Sequence, residues 1–209
     1  SKALKISYQT GDDPDGDAVG STTPAIVRTW SWLLSSIKIY AEDYYGLRRT
    51  QDVFSTTIHE LAHASHACRM NKEEYDNTSK FVRDSWACTV DWYLTLNEYH
   101  NLNANDAIID KLDNNNSEQN WPNTSRPLRY SPLFIDMIDE YNQKKDPHSS
   151  NVPDDNIDGY TISKIDGSLT QIKCYNDVES FMVKNRPASV TINEINTFLK
   201  LYKELWSEK

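Results

Sequence analysis

The chain has 209 residues, a hydrophobic fraction of 38%, a charged fraction of 25% and a formal net charge of -9. That length can bury a substantial core, and the composition is that of a globular protein rather than a disordered or fibrous one. The acidic balance argues against nucleic acid as the main partner, because phosphate binding needs a basic surface, and no apolar run approaches the roughly 18 residues that a membrane span requires.

The run Leu4-Lys5-Ile6-Ser7-Tyr8 predicts a strand, and a Gly/Asp-rich loop follows from Gly11 to Gly20. Thr23 and Pro24 read as an N-cap and a first helical residue, with Ile26, Val27, Trp30, Leu33, Leu34 and Ile37 repeating at helical spacing behind them. Ile37-Lys38-Ile39-Tyr40 alternates as a strand before a turn at Gly46. Thr50 reads as the cap of the next helix, whose inner side carries Val53, Phe54, Ile58, Leu61, Ala62 and Ser65. One long helix is predicted from Glu73 to Tyr99, packing through Phe81, Trp86, Thr89, Val90, Tyr93 and Leu94.

Residues 113–127 read as a loop, Pro132 to Gln143 as an amphipathic helix, and 144–156 as a second polar loop that hinges two lobes. Three shorter helices complete the pattern. Thr161 caps the first, Asn176 precedes the second, and Thr191 with Glu194 forms a capping box ahead of Ile195 to Leu205. The fold class is therefore mainly α with a small strand component (α+β). The division is a core over residues 1–145 and a helical C-terminal subdomain over 146–209 packed on it. Cys68, Cys88 and Cys174 lack a zinc-ligand spacing such as C-x-x-C and read as small buried residues; a Cys68–Cys88 disulfide would need an oxidising compartment.

The segment that carries chemistry is Thr57-Ile58-His59-Glu60-Leu61-Ala62-His63-Ala64-Ser65-His66, which contains HExxH. On a helix, residues four apart lie on one face one turn apart, so His59 and His63 can converge on one ion. Glu60 then reaches a metal-bound water rather than the metal, and serves as general base. With five histidines in the chain, chance gives this motif roughly once in 150 such sequences. The metal is read as Zn2+, held by three protein ligands with an open position for water.

The third ligand needs separate argument. A metzincin turn needs a Gly where this chain has His66, and a His where it has Arg69; no Gly occurs between Gly46 and Gly159. The helix should run on, which puts His66 about 10.5 Å of helix rise beyond His59, too far to share one ion. A carboxylate from the following helix remains, as in gluzincins. Asp84 and Asp91, on one face of that helix, are the candidates, with Asp84 favoured by its spacing. For stabilising an oxyanion, Tyr93, Tyr99, His100 and Tyr130 are available, and nothing in the spacing selects one.

Through HExxH the chain resembles the zincin metallopeptidases. More narrowly it is similar to zincin-like, zinc-binding domains in secreted lipoproteins of Bacteroidetes-type bacteria. The resemblance is carried by Ile58 to His66, by Asp84-Ser85-Trp86-Ala87 and by Pro132-Leu133-Phe134-Ile135-Asp136, and covers about residues 24–170. It implies a gluzincin-like peptidase with His59, His63 and Asp84 on zinc and Glu60 as base. It also implies a peptide or protein substrate, a lipid anchor upstream, and a secreted, periplasmic or cell-surface location. Such domains usually read Glu-Ser-Trp-Ala, with that Glu on the metal, and gluzincins commonly carry an acid four positions later. This chain has Asp84 and Cys88 there. A zinc protein that binds peptide or glycoprotein without hydrolysing it is the alternative expectation.

Overall fold

The computed structural model describes residues 5–9, 36–40, 42–43, 46–47, 49–102, 131–140 and 156–205. Two short strands, β1 (Lys5–Gln9) and β2 (Ser36–Tyr40), pair in parallel with Ile6 opposite Ile37 and Tyr8 opposite Ile39. Both strands fall where the alternation predicts them. Ile37, which the pattern shares between a helix face and a strand, belongs to the strand. The helix expected behind Pro24 and the loop at 113–127 lie outside the described residues. A minimal antiparallel pair, β3 (Glu42–Asp43) and β4 (Gly46–Leu47), precedes the first described helix.

Helix α1 (Thr50–Cys68) starts one residue earlier than the capping pattern suggests. Arg49 is the extended N-cap residue and makes no side-chain cap, while its guanidinium holds the first-turn Asp52 at 2.9 and 3.1 Å. The burial of α1 also departs from expectation. Its buried residues are His59, Glu60, Ala62, His63, His66 and Ala67, whereas Val53, Phe54, Ile58 and Leu61 are half-buried and Ser65 is exposed. The polar motif, rather than the apolar stripe, faces the deepest part of the protein.

The single helix expected from Glu73 to Tyr99 is two helices, α2 (Lys72–Asp76) and α3 (Lys80–Asn101). The break falls at Asn77-Thr78-Ser79, three residues whose short polar side chains compete for backbone groups. Thr78 donates to the Glu74 carbonyl at 2.9 Å, and Ser79 caps α3 by accepting from Val82 N–H at 3.3 Å. Asn71 and Glu74 close a capping box at the start of α2. Leu94, expected in the packing face of α3, is 42% exposed, while Val82 and Trp92 are buried.

The amphipathic helix expected from Pro132 shortens to one turn, α4 (Leu133–Asp136); residues beyond Glu140 on that stretch lie outside the described residues. Leu133, Phe134, Ile135 and Met137 are fully buried there, so the turn is a plug rather than a surface helix. Helix α5 (Ile162–Ser168) is capped by Thr161 as the sequence predicts, accepting from Lys164 N–H at 3.4 Å. Helix α6 (Tyr175–Lys184) is capped from Cys174, two residues before the expected Asn176. The Asp177 carboxylate supports that cap by accepting from Lys173 and Cys174 N–H at 2.9 and 3.1 Å. Helix α7 (Ile192–Leu205) opens on the expected Thr191–Glu194 capping box, with bonds of 2.6 and 3.2 Å.

The main core joins the first half of α3, α4 and the C-terminal helices. Phe81, Val82 and Trp86 pack with Leu133, Phe134 and Met137, and with Ile165, Leu169, Val178, Ile195 and Phe198. Trp86 meets Phe134 edge to face at 6.2 Å. The Tyr202 hydroxyl donates to the Asp136 carboxylate inside this core. Arg69, just past α1, binds the Asp166 carbonyl and carboxylate at 2.7 and 2.6 Å, tying the end of that helix to α5. All three cysteines are free in the structure; Cys68 is exposed and Cys174 half-buried, and only Cys88 is buried as expected. No helix among the described residues is long and apolar enough to cross a membrane.

Two substitutions gauge this architecture. Phe134→Ala should lower the unfolding free energy by about 3–5 kcal/mol through the cavity it leaves. Thr191→Ala, which removes one exposed cap, should cost about 1 kcal/mol. Urea titrations followed by circular dichroism measure both, and equal losses would show that Phe134 does not fill the core.

Candidate metal centre

Helices α1 and α3 pack side by side in antiparallel sense, and that register assembles the site. Phe54 near the start of α1 meets Tyr99 near the end of α3, ring to ring at 6.4 Å. One step along, His59 Nδ1 lies 3.9 Å from Asp91 Oδ2 and 4.0 Å from Cys88 Sγ. A turn further, His63 Nε2 lies 3.8 Å from Asp84 Oδ1. On α3 the residues concerned are Asp84, Cys88, Asp91 and Thr95, spaced to fall on a single helical face. Thr95 steadies Asp91 by donating to its Oδ1 at 3.2 Å.

The two motif imidazoles stand edge to face with centroids 4.9 Å apart. His59 is 8% exposed, His63 2% and the intervening Glu60 3%. Burial pushes the His59 pKa down to about 4. His63 also lies well below its ordinary value, first by burial and then by the neighbouring charges of His59, His66 and Arg83. Both rings are thus neutral near pH 7, the form that a metal ligand must take.

His66, which the helix-rise argument removes from the ligand set, is fully buried beside the site and stacks edge to face on Tyr75 at 5.4 Å. Burial, followed by the charges of Arg83 and Arg69, lowers its pKa to about 4. Tyr75 and Arg83 are the site neighbours that sequence reasoning missed. The Tyr75 hydroxyl is 3.4 Å from His63 Nδ1, and the Arg83 guanidinium lies over the Tyr75 ring at 4.9 Å. No spacing in the sequence marks either: Arg83 projects about 100° from Asp84 around α3, and Tyr75 belongs to a different helix. Of the residues considered for the oxyanion, Tyr99 packs on Phe54, His100 is exposed, and Tyr93 is half-buried beside Trp92. Tyr130 lies outside the described residues.

Among the described residues, no three His, Cys, Asp or Glu side chains are drawn close enough to chelate an ion as they stand. The chemistry of the cluster nevertheless suits zinc. Two neutral imidazoles and a carboxylate are a common zinc donor set, and each ring has a polar group on its other edge. Searched against family models, curated proteins and solved structures, the chain matches none.

The three buried histidines fix the sign of the acid response. Their folded pKa values lie below the ordinary 6.5, so the unfolded chain binds more protons than the folded one as pH falls. Their contribution is complete above pH 6.5 and is lost as pH falls below it, towards about 4 for His59 and His66. Urea midpoints of the metal-free protein should therefore fall between pH 6.5 and 5, above the range where most carboxylates titrate. His66→Gln should flatten that slope; an unchanged midpoint across this window in the wild type would show that the histidines are not buried neutral.

Proposed function

We propose that this chain is a zinc-dependent peptidase of gluzincin type, in which His59, His63 and Asp84 hold the metal and Glu60 is the general base. The observation that carries the reading is the buried row of His59, Glu60 and His63 facing Asp84 across the α1–α3 interface, with Asp84 Oδ1 3.8 Å from His63 Nε2. Asp91 faces His59 Nδ1, which suits a carboxylate that orients the ring while Nε2 serves as donor. When bound, zinc supplies Lewis acidity that brings the pKa of a coordinated water to about 7.

Glu60 takes the proton from the attacking water on its carboxylate and returns it to the leaving amine. Its burial keeps that carboxylate out of competing solvent. An extended peptide would lie along β2, the strand beside α1, by adding a strand to its backbone.

A second reading is favoured by the side chain at position 84. Asp is one methylene shorter than Glu, and the donors stand wider than a closed coordination shell. On that reading the site keeps zinc but serves to bind peptide or glycoprotein.

One set of measurements separates these. The purified chain should bind one zinc and cleave a peptide library in a chelator-sensitive way. Glu60→Gln should retain zinc and lose at least about 100-fold in kcat/KM. Asp84→Ala should weaken zinc at least as much as the ~10–100-fold typical of losing an outer partner. Stoichiometric zinc without chelator-sensitive cleavage would leave only the binding reading, and no zinc at all would remove both.

A further inference from the structure

We infer that Tyr75 is a positioning residue for the metal centre: its hydroxyl accepts the Nδ1 proton of His63 and so presents Nε2, on the opposite edge of the ring, to the ion. The inference rests on the zinc reading above and deepens it. Two distances on one ring carry it. His63 Nδ1 is 3.4 Å from the Tyr75 hydroxyl, and His63 Nε2 is 3.8 Å from Asp84 Oδ1. A neutral imidazole carries one proton, and the nitrogen that keeps it is fixed by the partner it meets. A ring whose Nδ1–H is engaged by a phenol oxygen has its lone pair on Nε2, facing the carboxylate that completes the donor set. Asp91 stands in the same relation to His59, on its Nδ1 edge. The two ligands would then be held from behind by chemically different groups, one anionic and one neutral.

The hydroxyl is well placed to do this because the rest of Tyr75 is immobilised. The residue is 1% exposed and packs against Ala67 and Met70. Arg83 covers a face of its ring at 4.9 Å, and the edge-to-face contact with His66 has an interplanar angle of 85°. Its helix is a single capped turn, α2, anchored by the Asn71–Glu74 box and separated from α3 by the break at Asn77 to Ser79. That break is what lets Tyr75 turn back towards α1, since a helix running unbroken into α3 would carry it away along the axis. At 3.4 Å the contact is longer than the roughly 2.7–3.2 Å usual for such a bond.

Packing alone is the competing account, and Tyr75→Phe separates the two because it keeps the ring, its stacking against Arg83 and His66 and nearly all of the buried volume, while removing the hydroxyl's bonds to His63 and Arg83. The full chain is titrated with zinc against a chromophoric chelator, and with cobalt followed by visible absorption. The wild type should bind both. In Tyr75→Phe the zinc dissociation constant should rise about 10–100-fold and the cobalt spectrum should change, with the metal-free thermal midpoint little altered. Zinc affinity within about twofold of wild type, with an unchanged cobalt spectrum, overturns the role of Tyr75 while leaving the zinc reading intact. A wild type that binds no zinc overturns both. A measurement on the zinc-loaded wild type stands even if the variant fails to fold: nitrogen-15 NMR of the histidine rings should show His63 bound through Nε2 with its proton on Nδ1, and coordination through Nδ1 overturns the inference.

Discussion

Helix α1 turns its polar face inward, and most of what surrounds it follows from that constraint. Burying a histidine or a glutamate without a polar neighbour costs several kcal/mol, so a helix that buries His59, Glu60, His63 and His66 needs a partner surface made to receive them. Helix α3 supplies it with Asp84, Cys88 and Asp91 along one face, and α2 adds Tyr75 from the side. The apolar residues of α1 are left half-buried, so its own hydrophobic stripe contributes less than its pattern suggests.

Helix α3 therefore does two jobs on two faces. Phe81, Val82 and Trp86 enter the main core with α4 and the C-terminal helices, while Asp84, Cys88 and Asp91 face the histidines. The same rigid rod that the core clamps in place sets the height of each carboxylate against each imidazole. Arg69 reinforces the arrangement from the other helix by binding Asp166 at the edge of the C-terminal part. A shift of α3 by one residue would move the Asp84 backbone by about 1.5 Å along the axis and rotate its side chain by about 100° away from His63.

What the sequence revealed and what it hid divide along physical lines. The positions of β1, β2, α5 and α7 were legible because alternation and capping are local signals; the Thr191–Glu194 box is one of the strongest. The neighbourhood of His59, His63 and Asp84 was legible because fixed helical spacing turns sequence separation into geometry. The break at Asn77 to Ser79 was missed because the apolar period from Phe81 to Leu94 was carried back through the charged run Lys72 to Asp76. The inward turn of α1 was missed because hydrophobic patterning assigns histidine to the surface unless a polar partner is known. Tyr75 was invisible for a related reason. Its contact with His63 depends on how α2 folds back, which no periodicity encodes.

Tyr202 lies in the last described helix, yet its hydroxyl meets a carboxylate at the centre of the core, on the plug formed by α4. This has a consequence for biosynthesis. The ribosome releases Asp136 well before Tyr202, and a nascent chain at that stage has α3 and α4 but no α7 to cover them. Until α7 emerges, Phe134, Trp86 and Asp136 lack the cover that it provides, and Asp136 meets water in place of the phenol. This part of the core is therefore complete only once α7 has been made.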